Sequence, residues 1–271
     1  MSNSTIFSKV VELEESGSAG ALCTIISSKG STPRGAGTKM LVFQDGTIAG
    51  TIGGGELENR VRHVAQEVIS TGHPRLLAYN LADISKGDPG LCGGQVEVYV
   101  EPILPKPSIL VIGGGHVGKA VSHLAKWLGF HVIVSDDRPE FCTLETNPDA
   151  DLFLPIQMSQ IPDQMAITKD TCIVLTTRGV GVDIIGLPAL VASPASYIGV
   201  IGSRKRWATT VKELKKSGVS EKSIRRIHSP IGLELNAETP EEIAISILSE
   251  IIMIRNDGTG KKMKMKRLKP E

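Results

Sequence analysis

The chain of 271 residues is 41% apolar and 22% charged, with a formal net charge of +1, which is the profile of a globular protein rather than a disordered or fibrous one. Near-neutral charge and only 4% aromatic residues argue against a nucleic-acid surface, and no apolar run is long enough to cross a membrane. The length predicts two domains, and four widely spaced cysteines without a C-x-x-C pair predict neither a zinc ribbon nor a disulfide framework, so a reducing cytoplasm is the expected setting.

The N-terminus carries charges through its apolar stretch and does not read as a secretory signal. Ile6, Val10, Val11 and Leu13 predict a short amphipathic helix over residues 4–16. Strands follow at 20–27, 38–44 and 47–52, the last two joined by the hairpin signal Asp45-Gly46. Residues 56–71 place Leu57, Val61, Val64, Ala65, Val68 and Ile69 on one helical stripe, and strands at 75–81 and 95–101 complete a small sheet. Three prolines between Glu101 and Pro107 should end that sheet and mark a domain boundary. Beyond it strand and helix patterns alternate: strands at 109–112, 131–135, 171–177 and 196–202, and helices at 117–129, 204–217 and 239–256. The fold class is therefore α/β, a small glycine-rich α+β domain over residues 1–104 followed by a Rossmann-like, doubly wound parallel-sheet domain over 105–257. A basic tail, 258–271, reads as a solvated, disordered end.

Several constellations carry chemistry. Gly113, Gly115 and Gly118 fit G-x-G-x-x-G between a strand and a helix: Gly113 for the tight turn, Gly115 for close approach of a pyrophosphate, Gly118 for helix–strand packing. Asp136 and Asp137, about 20 residues on, are candidate acceptors for a ribose hydroxyl, and His116 in the turn is a candidate ligand. A Rossmann fold that has kept this geometry without binding a dinucleotide accounts equally well for the motif. A second glycine turn, with Gly202, Arg204 and Arg206, opens another helix at the same sheet edge and offers a phosphate clamp. In the first domain Arg34 and Lys39 flank a small-residue loop, and Gly53, Gly54, Gly55 and Glu56 lead into a helix as an amide-lined anion site. Cys92, set beside Gly93 and Gly94, is an accessible thiol suited to metal ligation or sulfur transfer and is expected to face an interdomain cleft, whereas Cys23 and Cys172 are expected to be core.

The runs GSTPRGAGTKMLVFQDGTIAGTIGGGELE (30–58), CGGQVEVYVEP (92–102), ILVIGGGHVGKAVSHLAKWLGFHVIVSDDRPEF (109–141), YIGVIGSRKR (197–206) and HSPIGLELNAETPEEIAISILSEII (228–252) together resemble the XdhC/CoxI family of xanthine dehydrogenase accessory proteins. The resemblance implies a cytoplasmic, non-catalytic chaperone that binds the molybdenum cofactor (molybdopterin), supports its sulfuration by a cysteine desulfurase, and delivers it to a xanthine dehydrogenase-like molybdenum hydroxylase. Enclosing so large a cofactor is most readily done by a homodimer. Where the family has a histidine–aspartate pair after the strand ending at Leu175, this chain has Thr177-Arg178, and only Asp183 looks retained. The competing readings are an NAD(P)-dependent oxidoreductase, for which His116 and His228 would have to serve as acid or base, and a nucleotide-sensing scaffold.

Overall fold

The computed structural model describes residues 3–81, 89 and 93–263. The chain forms two compact units, Met1–Lys106 and Pro107–Glu271, whose division lies inside the proline-rich connector.

The first unit runs α1 (Asn3–Ser16), β1 (Gly20–Lys29), β2 (Lys39–Phe43), β3 (Ile48–Gly50), α2 (Gly55–Thr71), β4 (Arg75–Asn80) and β5 (Gln95–Ile103). The strands form one antiparallel sheet in the order β3-β2-β1-β5-β4. Period-two alternation sorts its side chains between two layers. Ala21, Cys23, Ile25, Met40, Val42, Val96, Val98 and Val100 pack under α2 through Leu57, Val61, Ala65 and Val68. Leu22, Leu41 and Ala49 face α1 through Ile6 and Leu13. The prolines do not end the sheet where the sequence suggests, since β5 continues to Ile103 with Pro102 paired to Ala21. Beyond Val100 the strand has no partner on its β4 side, an edge setting in which a missing N–H leaves no ladder bond unmade.

The second unit runs β6 (Ser108–Ile112), α3 (His116–Trp127), β7 (His131–Ser135), β8 (Leu152–Leu154), α4 (Ile161–Gln164), β9 (Thr171–Leu175), α5 (Val180–Val191), β10 (Tyr197–Val200), α6 (Arg204–Lys216), α7 (Glu221–Ile224), β11 (Ile227–His228) and α8 (Pro240–Arg255). Its sheet is wholly parallel in the order β11-β10-β9-β6-β7-β8, the doubly wound arrangement with a topological switch between β6 and β9. Both faces are covered, so the strands are continuously apolar. Leu110, Ile112, Ile133, Ile173, Leu175 and Ile198 lie in the layer with α5 and α6, and Ile109, Val111, Val132, Val134 and Val174 in the layer with α3 and α8.

Helix α5 escapes the sequence reading because it is apolar almost all round and contains Gly181, Gly186 and Pro188, which mask a helical period. Residues 258–263 carry no helix or strand, and the rest of the basic tail lies outside the described residues. Among the described residues, no helix is long and apolar enough to cross a membrane.

Candidate functional site

Antiparallel pairing brings the glycine-rich loops of the first unit to one end of its sheet. β1 ends at Lys29 opposite Gln95, the start of β5, while β2 starts at Lys39 and β3 ends at Gly50 opposite Met40. The loops after β1, after β3 and before β5 therefore leave from the same edge. They are in contact: a Cβ on Gly94 would stand 2.2 Å from the Ser31 carbonyl, and one on Gly53 would stand 2.8 Å from Pro33 Cβ. Only glycine fits at either place.

Glu58, in the first turn of α2, organises the loop after β3. Its Oε2 accepts the N–H groups of Ile52 and Gly54, each at 3.2 Å, and the Thr51 hydroxyl, whose oxygen in turn accepts the Gly53 N–H at 3.1 Å. The chain's own carboxylate thus occupies amides that the sequence reading offers to an external anion. The N–H groups of Gly55 and Glu56, at the start of α2, have no helical acceptor by position. Gly54 and Gly55 have open space where a Cβ would stand, as do Gly35, Gly37 and Gly93, so no side chain covers the backbone at these positions. Arg34 is exposed in the neighbouring loop. Lys39 is engaged within the unit, donating to Thr24 Oγ1 at 2.9 Å and lying 5.8 Å from the Phe7 ring centroid. Glu56 pairs with Arg60 one turn along α2. Cys92 lies outside the described residues, although its neighbours Gly93 and Gly94 stand against Gly30 and Ser31. Cys23 and Cys172 are buried, with Cys142, and desolvation raises all three thiols, that of Cys23 to about 12. Among the described residues, no group of three or more His, Cys, Asp or Glu side chains can hold a metal.

In the second unit the turn after β6 is tightly packed. A Cβ on Gly118 would meet the Gly113 carbonyl oxygen at 1.9 Å, and one on Gly114 would meet the Phe141 carbonyl at 2.1 Å. Thr176 latches the turn by donating its hydroxyl to Gly113 O at 2.7 Å, and buried Asn147 donates to Gly114 O and Phe141 O. Gly115 faces open space, and His116 is exposed at the start of α3.

Asp136 is buried at the end of β7, where its carboxylate accepts the Gly114 N–H at 3.0 Å and the Arg138 guanidinium and backbone N–H. It fixes the glycine turn, and it is Asp137 that faces across to the next loop. There Arg178 donates two bonds to it, at 2.6 and 2.7 Å, and this guanidinium holds the Asp137 carboxyl below its usual range.

These groups line a cavity of about 320 Å³ at the carboxyl edge of the sheet, beside the switch between β6 and β9. Its other wall is apolar, built from Ile156, Met158, Val182 and Ile185. Asp183, wholly buried in the first turn of α5, is paired with Arg206 at 2.7 Å, and both hold Thr177. The Arg206 guanidinium is therefore a structural cation, committed internally, whereas Arg204 is exposed on the first turn of α6. Gly202 has φ 148°, and the Arg206 stem fills the place of its Cβ.

Glu58 and Asn147 are absent from the candidates chosen by sequence, and the pairing of Asp183 with Arg206 is not among its expectations. An acidic residue in the first helical turn after a glycine run was a signal available for Glu58. No local signal marks the others, whose bonds Asn147–Gly114 and Asp183–Arg206 span 33 and 23 residues.

The model of the XdhC and CoxI family matches residues 13–80, and that of the XdhC Rossmann domain matches residues 109–251. YqeB of Escherichia coli K12, described as uncharacterized, is 34% identical over 260 residues, covering 94% of this chain and 47% of the relative. A Bacillus subtilis 168 protein described as a probable xanthine dehydrogenase subunit is 34% identical over 158 residues, 58% of this chain and 46% of the relative. The chain spans about half the length of these two relatives. PaoD of Escherichia coli K12, a molybdenum cofactor insertion chaperone, is 22% identical over 288 residues, with 93% and 88% covered. A crystal structure from Bacillus halodurans, described as a xanthine dehydrogenase, shares the fold, with a TM-score of 0.51, 23% identity and coverage of 97% and 98%. With the Rossmann-domain match alone covering more than half of its residues, the chain belongs to the XdhC/CoxI family.

Proposed function

We propose that the protein is an accessory factor of a xanthine dehydrogenase-type molybdenum hydroxylase, binding the molybdenum cofactor, supporting its sulfuration and handing it to the apoenzyme. The observation that carries this reading is the convergence of three glycine-rich loops at one end of the first unit's sheet. Open glycine backbone at Gly35, Gly37, Gly54 and Gly55, the exposed cation Arg34 and the start of α2 suit a phosphorylated pterin. The family membership and the functions named for PaoD and the Bacillus subtilis relative support it. When bound, the cofactor supplies a soft metal centre, and a thiol at Cys92 is the side chain of this chain best matched to it. A cysteine desulfurase as sulfur donor, a cytoplasmic setting and a homodimer complete the proposal.

The test is to purify the protein from cells supplied with molybdate, extract the oxidised pterin for fluorescence, and assay transfer to an apo-hydroxylase. Pterin should copurify with the wild type, while Gly35→Val, at an open position without positive φ, and Arg34→Ala should each lower its occupancy with the fold intact. Cys92→Ser should remain folded and loaded yet activate less hydroxylase. Absence of pterin from the wild type sinks the reading, and full activation by Cys92→Ser removes the thiol from it.

A further inference from the structure

We infer that the crevice of the second unit binds a nucleoside phosphate, with the phosphate at the N-terminus of α5 beside Arg178 rather than over the glycine turn 113–118. This goes beyond the cofactor reading, which rests on the first unit.

The cavity, about 320 Å³, has two unlike walls. On one, Ile185 is 68% exposed despite its size and continues Val182 and Met158 as an apolar shelf for a flat heterocycle. The other carries the Asp137–Arg178 pair. Between them α5 begins, and Gly181 in its first turn has open space where a Cβ would stand, so the first-turn backbone of a 12-residue helix is open to an approaching anion.

The phosphate has less reason to sit at the other turn. The Gly114 N–H is bonded to Asp136, the Phe141 carbonyl stands where a Gly114 side chain would be, and the Gly115–His116 step lies outside the cavity lining. Arg178 holds Asp137 with both partners partly exposed, at 48% and 33%. A phosphate can therefore replace the carboxylate on the guanidinium, one bidentate anion for another. The released Asp137 then accepts a sugar hydroxyl or a ring N–H. Asp136 cannot take that part, since both its oxygens are engaged by Gly114 and Arg138. Heterocycle, hydroxyls and phosphate in one ligand describe a nucleotide.

The experiment is calorimetric titration of the full chain with AMP, CMP, GMP and UMP, with the four nucleosides and inorganic phosphate as controls. At least one nucleotide should bind ten-fold or more tightly than its nucleoside and than phosphate. Arg178→Ala and Gly181→Val, both at sites with room for the change, should each weaken that nucleotide at least ten-fold, with the far-ultraviolet circular dichroism unchanged. Arg178→Ala should leave the nucleoside within two-fold. If no nucleotide outbinds phosphate, the proposal fails. It fails equally if Gly115→Val abolishes binding while Arg178→Ala does not, because the phosphate then sits over the glycine turn. Neither result bears on pterin retention by the first unit.

Discussion

The two units each begin a helix from a glycine run, Gly53–Gly55 before α2 and Gly113–Gly115 before α3, and each run has an amide bonded by a carboxylate, from Glu58 and Asp136 respectively. They use glycine for different reasons. In the first, Gly54 and Gly55 have φ of 76° and 64° with nothing near their missing side chains, so conformation and open backbone are what glycine supplies. In the second, Gly114 and Gly118 have backbone oxygens about where a Cβ would be, so close packing is what glycine supplies. A glycine motif therefore does not by itself say whether a ligand or the protein's own backbone comes close.

The largest effect that separates the units is expected at Asp183. Asp183→Ala leaves Arg206, 19% exposed, without the carboxylate it faces, and breaking such a pair costs about 3–5 kcal/mol. Chemical denaturation should show the loss in the second unit only, with α2 and its sheet unaffected. A loss below about 1 kcal/mol would make the pair dispensable and the crevice wall self-supporting.

Gly118→Ala comes next. The added methyl meets the Gly113 carbonyl at 1.9 Å and Thr176 Oγ1 at 3.0 Å, and overpacking of this kind costs about 1–3 kcal/mol or more, because backbone must move. Gly54→Ala in the first unit meets no atom, but it imposes a side chain at φ 76° and ψ −174°, a region essentially reserved for glycine, at a cost of about 1–3 kcal/mol. Comparing the two melting temperatures tests whether packing or conformation is the stronger reason.

For the first turn the corresponding test is Glu58. Glu58→Ala removes the acceptor of two N–H groups and a hydroxyl, at about 1–3 kcal/mol, while Glu58→Gln can present an amide oxygen to the same donors and should lose less. Hydrogen exchange at Ile52 and Gly54 reads the difference directly. Equal protection in Ala and wild type would mean that the loop holds itself.

Much of this fold was legible because it is written in local patterns. The strand–glycine–helix run at 109–127, the hairpin around Asp45-Gly46 and the stripe of α2 each carry their signal within about twenty residues. What was illegible depends on distance or on conflicting local cues. Helix α5 has no polar face to reveal its period, and β8 and β11, of three and two residues, are strands only because neighbours complete them. At the sites, the residue types were legible and their commitments were not. Arg206 reads as a phosphate clamp until its bonds to Asp183 and Thr177 are seen, and Asp136 reads as a ribose acceptor until Gly114 and Arg138 are found on its oxygens. Arg178 stood out as a departure from the family pattern, while its partner Asp137 is 41 residues away.

The smallest effect belongs to Gly115, and its smallness is informative. Gly115 has φ −72°, a conformation any residue adopts, and no atom lies within 4 Å of where its Cβ would be. Replacing it with alanine restricts the unfolded chain, which favours the folded state by about 0.4–1 kcal/mol. The same change at the N-cap of α3 loses a preference for glycine over alanine of similar size. The two nearly cancel, so the melting temperature of Gly115→Ala should stay within a degree or two of wild type, roughly ±0.5 kcal/mol. A drop as large as that of Gly118→Ala would show that the first turn of α3 does not tolerate a side chain and would erase the distinction between the motif's packing glycines and its open one. If stability holds, Gly115 variants report on ligand approach alone, because nothing within the fold requires glycine there.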